Sequence, residues 1–161
     1  MSCKNKGVAE TEVTLASATP VLWHEFYSRY VADLMMTDIP YVYDFERAQR
    51  SFDSRSTDLS RREFVIMVSG QVVGIIGLKR IDLEKNQAEF GIALMDDAVK
   101  GKGIGTYAIK LLLEYAKYEL KLQAVLADSV HRNARSQHVL EKVGFVYTHE
   151  NDEFKFYELS L

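Results

Sequence analysis

The sequence predicts a single α/β domain of 161 residues, built on a mixed sheet of six or seven strands with helices on both faces. From residue 63 onward, hydrophobic periodicity gives three adjacent strands, a glycine-rich turn, a helix, a strand, a helix and two closing strands. This order has too many adjacent strands for a doubly wound parallel sheet, so it favours a mixed one. The hydrophobic content of 47% and the charged content of 27% are typical of a globular chain.

The first third of the chain predicts one short strand and two helices. Residues 12–16 alternate between apolar and polar side chains, which is typical of a strand. Thr19 is a good helix cap, and Pro20 fits the first helical position after it. A second helix is predicted from 44 to about 54, and residues 51–60, which contain few apolar side chains, are expected to form a mobile loop.

A hairpin is predicted next, with strands over 63–69 and 72–81 and a tight turn at residues 70 and 71. Gly74 and Gly77 lie inside its second strand. Glycine in a strand interior indicates a bulge or a close approach of another backbone segment.

The centre of the chain predicts an anion site. A buried strand over 88–95 is followed by a glycine-rich turn over 100–105 and by a helix that starts at Thr106, with apolar residues at helical spacing. Glycines allow backbone N–H groups to surround a ligand, and a helix N-terminus presents unpaired N–H groups and the positive end of its dipole. A phosphate or pyrophosphate is the expected ligand.

The last third is predicted to hold one more helix, with Asn133 as its cap and Gly144 as its C-terminal stop. The remaining predicted elements are a short strand over 123–127 that ends at Asp128, the helix over 133–143, and a hairpin of strands over 145–148 and 154–159.

The net charge and the cysteine content limit the functions and the cellular compartment that fit this chain. The net charge of −3 and the lack of any basic run exclude general nucleic-acid binding. Cys3 is the single cysteine, so no intrachain disulfide can form, which fits a reducing compartment.

Residues 1–10 are expected to be a flexible leader without a signal peptide, and no stretch is apolar enough to span a membrane. We therefore expect a cytoplasmic protein, and the four histidines show no metal spacing.

Two motifs together resemble the acetyl-CoA-dependent N-acetyltransferases of the GNAT superfamily. The first is the turn Lys100-Gly-Lys-Gly-Ile-Gly105, and the second is Asn133-Ala-Arg-Ser136 followed by Leu-Glu-Lys-Val-Gly-Phe145. The residues of the second motif are similar to those of the ribosomal-protein N-terminal acetyltransferase (RimJ/RimL-like) branch. The resemblance covers residues 64–145. Lys100 departs from the glutamine or arginine that is usual at the first position of the turn.

The resemblance implies a mostly antiparallel sheet with a splayed strand pair that holds the CoA moiety of acetyl-CoA, and no metal. Backbone groups of Ala93, Leu94 and Met95 would bind the pantetheine arm, which Asn133 would also contact. The pyrophosphate would be bound by the turn, which comprises Lys100, Gly101, Lys102, Gly103, Ile104, Gly105 and Thr106.

The resemblance also supplies three candidate catalytic residues. Glu89 lies eleven residues before Lys100, where some members place a general base, although a surface or salt-bridged glutamate is the alternative. Asp128 lies near the position of a catalytic glutamate in another branch, and a turn residue is its alternative. Many members use a tyrosine acid where this chain has Leu140, which leaves Ser136 as the candidate acid or as an ordinary surface serine.

The acceptor is expected to be a primary amine, either a small molecule or a protein N-terminus. Tyr41, Tyr43 and the 51–60 segment are predicted to form its wall, since the family builds the acceptor side from this region. An α-amine with a pKa near 8 requires less help from a base than a lysine side chain does. No membrane or nucleic-acid partner is expected, and a homodimer is possible.

Two other functions are compatible with parts of the sequence. One is a non-catalytic module that binds CoA or another metabolite, because Leu140 replaces the usual acid. The other is a dinucleotide-binding oxidoreductase, because Gly103-x-Gly105-x-x-Ala108 fits the fingerprint and Asp128 follows at a suitable distance. The oxidoreductase alternative is disfavoured because the stretch of chain after Gly105 is too short to form another nucleotide-binding half.

Overall fold

The computed structural model describes residues 7–9 and 12–161, which form one seven-stranded sheet with four α-helices. Most of the predicted leader, including Cys3, lies outside the described residues. The strands are β1 Val13–Ser17, β2 Arg62–Val68, β3 Gln71–Asp82, β4 Gln87–Leu94, β5 Ala124–Val130, β6 Val146–Glu150 and β7 Phe154–Ser160. The helices are α1 Pro20–Arg29, α2 Phe45–Ser56, α3 Ile104–Tyr118 and α4 Ala134–Val143.

The sheet is mixed and mostly antiparallel, which confirms the predicted fold class. Its strands lie in the order β1-β2-β3-β4-β5-β7-β6, and the pair β4–β5 is the parallel one. A parallel pair needs a crossover connection, and α3 provides it between β4 and β5. The turn that precedes α3 therefore lies at the edge of the sheet where β4 ends.

Helices cover both faces of the sheet, as predicted. On one face, α3 and α4 bury a core that includes Leu112 and Leu140 against Phe90 and Val125. On the other face, α1 and α2 pack on β2, β3 and β4 through Trp23 and Phe26. Side chains at alternate positions of β4 thus point either to the α3 side or to the α1 side.

Helix α2 extends to Ser56, so the prediction of a mobile loop over residues 51–60 is wrong for its first half. Asp44 caps the helix by accepting a hydrogen bond from the N–H of Arg47. Near the other end, Phe52 packs edge-on against Trp23. The Arg55 guanidinium lies over the same indole, 5.4 Å from its centroid. Packing against α1 therefore orders a segment that its polar composition alone predicts to be loose.

Two other boundaries differ from the prediction. Helix α3 begins at Ile104 rather than at Thr106, because Gly103 already serves as its N-cap. Strand β5 continues through Asp128 to Val130, because its pairing with β7 extends that far. Within the part of the chain that the structure describes, no helix is both long and apolar enough to cross a bilayer.

Candidate active site

Strands β4 and β5 separate after three residue pairs. Their parallel pairing runs from Gln87–Ala124 to Glu89–Leu126 and stops there. Both strands nevertheless continue, β4 to Leu94 and β5 to Val130. The result is a wedge-shaped opening in the middle of the sheet, which we call the β4–β5 gap, lined by residues 90–94 and 127–130. It corresponds to the splayed strand pair that the resemblance implies.

The backbone of β4 offers hydrogen-bonding groups to this gap at alternate residues. The N–H of Met95 donates to the carbonyl of Val73 at 2.8 Å, so Met95 faces β3. The alternation of an antiparallel ladder directs the groups of Ala93 the same way, and those of Leu94 and Ile92 toward the gap. Of the three residues predicted to bind the pantetheine arm, Leu94 faces the gap, whereas Ala93 and Met95 face β3, and contact with the arm stays a prediction. Ile92, which was not among the predicted residues, also faces the gap.

The turn before α3 has the backbone of an anion site. Gly101 and Gly103 both have left-handed φ angles, of 72° and 86°. Gly103 is the N-cap of α3, and no side chain makes a capping hydrogen bond there among the described residues. The first N–H groups of the helix, from Ile104 to Thr106, therefore remain available to a ligand beside the positive end of the helix dipole.

Lys100 is already engaged inside the protein. Its Nζ lies 3.0 Å from Oδ2 of Asp33 and 3.0 Å from Oδ1 of Asp97, and its side chain is largely buried. Burial alone lowers the pKa of Lys100, but the hydrogen bonds to both carboxylates outweigh it and raise the pKa. The ammonium group is thus neutralised by two acids. Lys102 lies two residues further along the turn, and its backbone carbonyl accepts a hydrogen bond from the N–H of Val8.

Asn133 and Ser136 lie together at the start of α4, on the β5 side of the gap. Asn133 is the N-cap, and its Oδ1 accepts a hydrogen bond from the N–H of Ser136 at 3.1 Å. The Asn133 side chain is buried, and Ser129 Oγ donates to its backbone carbonyl. The capping role predicted for Asn133 is confirmed, whereas contact with pantetheine stays a prediction.

Glu89 lies at the last paired position before the gap opens and points to the α1 side of the sheet. Both of its carboxylate oxygens accept hydrogen bonds from Nη1 of Arg80 at 2.9 Å. Lys79 Nζ lies 3.8 Å from Oε2 of the same carboxylate. Glu89 is therefore salt-bridged, as its alternative reading expected, but 22% of its side chain is exposed to an approaching amine.

Asp128 lies on the same face of the sheet as Glu89, across the gap. The hydrogen bond to Glu89 raises the pKa of Arg80, and the charge of Asp128 adds to that effect. Arg80 therefore lies within electrostatic reach of both candidate carboxylates. Leu140, in contrast, is 2% exposed and belongs to the core, so that position supplies no acid.

A pocket of about 250 Å³ opens on the α1 side of the sheet, next to the gap. Its floor includes Gly77 of β3 and Gly91 of β4, which lie in register with Glu63 of β2. A Cβ on Gly91 would meet no atom within 4 Å, so this part of the floor is open. A Cβ on Gly77 would lie 2.6 Å from the backbone oxygen of Arg62, which confirms the predicted close approach.

The predicted acceptor residues lie near this pocket rather than in its wall. The Tyr41 ring is 5.4 Å from the ring of Tyr27, which does line the pocket. Burial raises the pKa of Tyr27 to about 12, so its phenol stays protonated at neutral pH. Tyr43 Oη lies 2.8 Å from Nδ1 of His24 on α1. The role of both predicted tyrosines in binding the acceptor stays a prediction.

The charged side chains of the pocket wall were not among the residues predicted for the site. Arg61 Nε lies 3.0 Å from Oε1 of Glu63, and Arg55 Nη1 lies 3.5 Å from the same oxygen. Arg55 does fall within the 51–60 segment that the sequence analysis assigned to the acceptor side. The available signal was Glu63 inside a mostly apolar strand, since an acidic side chain is seldom buried without a partner.

No group of three or more potential metal-ligating side chains occurs among residues 7–9 and 12–161.

Comparison with known proteins agrees with this geometry. The model of the Acetyltransferase (GNAT) domain family matches residues 13–146, which is most of the chain. The chain belongs to this family. This match confirms the predicted superfamily and the predicted acyltransferase-type domain. It disfavours the oxidoreductase alternative.

Several relatives of this GNAT domain are named as N-acetyltransferases. It is 40% identical to "Probable N-acetyltransferase YjcK" of Bacillus subtilis over 75 residues, which cover 47% of this chain and 41% of the relative. It is 30% identical to spermidine N(1)-acetyltransferase of Escherichia coli K12 over 124 residues, or 73% of this chain and 66% of the relative. The matches thus span less than two thirds of the length of these relatives.

Solved structures of spermidine N-acetyltransferase from Vibrio cholerae share the fold. The complex of that enzyme with CoA and spermine superposes with a TM-score of 0.74 at 19% identity, covering 93% of this chain and 96% of the other. A dodecameric structure of the enzyme matches with a TM-score of 0.74 at 21% identity, covering 93% and 94%. These relatives do not single out the ribosomal-protein branch that the sequence motif indicates.

Proposed function

We propose that this GNAT domain is an acetyl-CoA-dependent N-acetyltransferase that acts on a small primary amine. The observation that carries the proposal is the β4–β5 gap, which leads directly to the N-terminus of α3. Backbone groups of Ile92 and Leu94 line the gap on one side, and the turn around Gly103 lies at its end. This combination suits an extended chain that ends in a pyrophosphate.

The residues present fit CoA in two respects. The left-handed Gly103 and the first N–H groups of α3 form an uncapped anion site. The gap is a sheet edge that lacks a strand partner over residues 90–94 in the described sheet, so an amide-bearing arm can pair with it. Since Lys100 is neutralised by Asp33 and Asp97, we assign pyrophosphate binding to backbone amides, with Lys102 as the basic side chain of the turn.

Acetyl-CoA would supply the acetyl group as a thioester, and the amine would attack it directly, without a covalent enzyme intermediate. A C–N bond forms, the C–S bond breaks, the amine loses a proton and CoA leaves as a thiolate. Glu89, with Asp128 as the alternative, would accept the amine proton. The N–H of Leu94 points into the gap and would stabilise the oxyanion. Ser136 would protonate the thiolate, although a thiol pKa near 8.5 makes this step easy without it.

The named relatives support a small amine as acceptor rather than a protein N-terminus, because one acts on spermidine and another was solved with spermine. The dodecameric relative supports self-association of this chain, which we extend only to a homo-oligomer of unspecified size.

Calorimetric titration with acetyl-CoA tests the proposal, with NADH as the control ligand. We expect micromolar binding of acetyl-CoA and none of NADH, followed by release of free CoA when amines are added. A protein that binds neither ligand contradicts the proposal. A protein that binds acetyl-CoA but releases no CoA with any amine would instead be the non-catalytic binding module.

A further inference from the structure

The acceptor pocket carries an excess of positive charge. We infer that the acceptor is a small primary amine with a carboxylate at its other end, rather than a polyamine. This inference rests on the proposed acetyltransferase function. It is drawn from the residues of the pocket, and it differs from the acceptors named for the spermidine-specific relatives.

The shape of the pocket sets the direction in which an acceptor lies. Glu63, Gly77 and Gly91 are aligned across three neighbouring strands, so two of the three positions have no side chain on this face. They form a trough that runs from the β4–β5 gap toward β2. The Glu63 carboxylate lies over Gly77, since a Cβ there would be 2.6 Å from its Oε2. Neighbouring strands are about 5 Å apart, so Glu63 on β2 is about 10 Å from Gly91 on β4, beside the gap. A short chain with a second functional group fits this length.

The far end of the trough is basic. Three cationic side chains, Arg55, Arg61 and Lys79, line the pocket against one acidic side chain, Glu63. Lys79 pairs with Glu89 at the near end, which leaves the two arginines at the far end. A single oxygen of Glu63 is shared by both guanidinium groups. One carboxylate cannot neutralise two arginines, and the Nη groups of Arg61 make no hydrogen bond to any residue that the structure describes. They are therefore available to a second carboxylate.

Two neighbouring features affect the charge that an acceptor meets in the trough. At the near end, Glu89 offers little charge to attract an acceptor, because its carboxylate is already bound by Arg80. Beyond the far end lies a second pocket of about 290 Å³, which shares Arg55, Arg61 and Glu63 with the first. It adds Arg62 and Asp58, so three arginines there face two carboxylates. A polyamine would place its additional ammonium groups beside these arginines, which costs energy because like charges repel.

Three six-carbon acceptors of equal length test the inference: 6-aminohexanoate, hexylamine and 1,6-diaminohexane. They carry the same reacting amine and an anionic, neutral or cationic far end. With the full chain and acetyl-CoA, we expect kcat/KM to fall in that order, by about tenfold or more from the first to the last. Arg61→Gln should reduce this ratio toward one, and Arg61→Lys should keep part of it.

The control variant is Arg29→Gln, which removes the same charge from the outer surface of α1, where Arg29 pairs with Glu25. It should leave the preference unchanged. Equal or faster turnover of 1,6-diaminohexane or spermidine overturns the inference and leaves the acetyltransferase proposal intact. Turnover of none of these amines by a protein that binds acetyl-CoA also overturns the inference, whereas failure to bind acetyl-CoA overturns the proposed function itself.

Discussion

The ammonium group of Lys100 lies 3.0 Å from the carboxylate of Asp33, which links the turn before α3 to the loop that joins α1 and α2. On the other side of the gap, Arg132 donates hydrogen bonds to Asp38 and to the carbonyl of Met35 in the same loop. The loop therefore contacts the segments that follow both β4 and β5. Its position depends on these ion pairs as well as on its own sequence.

Asp33→Asn should lower the free energy of unfolding by about 1–3 kcal/mol, because it removes the negative charge that pairs with the largely buried Lys100 ammonium group. Asp38→Asn is the matched control in the same loop. The Asp38 side chain is 86% exposed, against 20% for Asp33, so its ion pair with Arg132 should contribute less than about 1 kcal/mol. Urea denaturation of the two variants measures the difference, and equal losses would contradict this view of the loop.

The contribution of Asp33 should also depend on pH. Burial by itself raises the pKa of Asp33, but hydrogen bonds from the Met35 N–H and the Lys100 ammonium outweigh it and lower the pKa below 3.8. A pKa that is lower in the folded state stabilises the protein above the unfolded value and ceases to do so as the pH falls through the folded value. The difference between wild type and Asp33→Asn should therefore be constant near neutral pH and shrink below pH 3.8.

Gly103→Ala should weaken acetyl-CoA binding more than it weakens the fold. The residue has a φ of 86°, and a Cβ would lie 3.3 Å from the Tyr107 ring, so the ring or the turn must move by a few tenths of an ångström. Gly70→Ala is the control, because Gly70 has a similar φ of 79°, lies in the β2–β3 turn and has no neighbour within 4 Å. Both variants should lose about 1–2 kcal/mol of stability from the left-handed backbone. A tenfold loss of acetyl-CoA affinity is expected only for Gly103→Ala, and calorimetric titration of both variants with acetyl-CoA measures it.

Gly91→Ala should raise KM for the acceptor without reducing stability. Its added methyl group enters the open floor of the pocket, where no atom lies within 4 Å. Gly77→Ala, one strand away, should instead destabilise the fold, because the added methyl group would overlap the backbone of Arg62. Thermal unfolding and acceptor kinetics on both variants separate the two effects. An unchanged acceptor KM in Gly91→Ala would remove this pocket from the reaction.

Glu89→Gln should lower kcat by about 10²-fold at neutral pH, which is the usual contribution of a general base. The dissociation constant of acetyl-CoA should stay the same, because Glu89 lies at the closed end of the gap. Glu84→Gln, an exposed glutamate in the turn between β3 and β4, is the control for the same chemical change. If kcat of Glu89→Gln equals that of wild type from pH 6 to 9, Asp128 becomes the leading candidate.

Local signals in the sequence predicted most of the strands and helices and the glycine turn before α3, whereas anion binding at that turn stays a prediction. Thr19, Asn133 and Gly144 cap helices as predicted, since a cap bonds to residues only a few positions away. The glycines at 101 and 103 predicted the turn for the same reason, because a left-handed backbone angle is a property of the residue itself.

Which side chains meet depends on packing, which local patterns in the sequence do not specify. Gly77 and Gly91 form one trough with Glu63 because of strand register, which the pattern of any single strand does not specify. Lys100 was predicted to belong to the turn that binds the pyrophosphate, but folding brings Asp33 from a distant loop to pair with its ammonium group. The charge at a site depends on residues that are far apart in the chain, and their proximity is a result of packing.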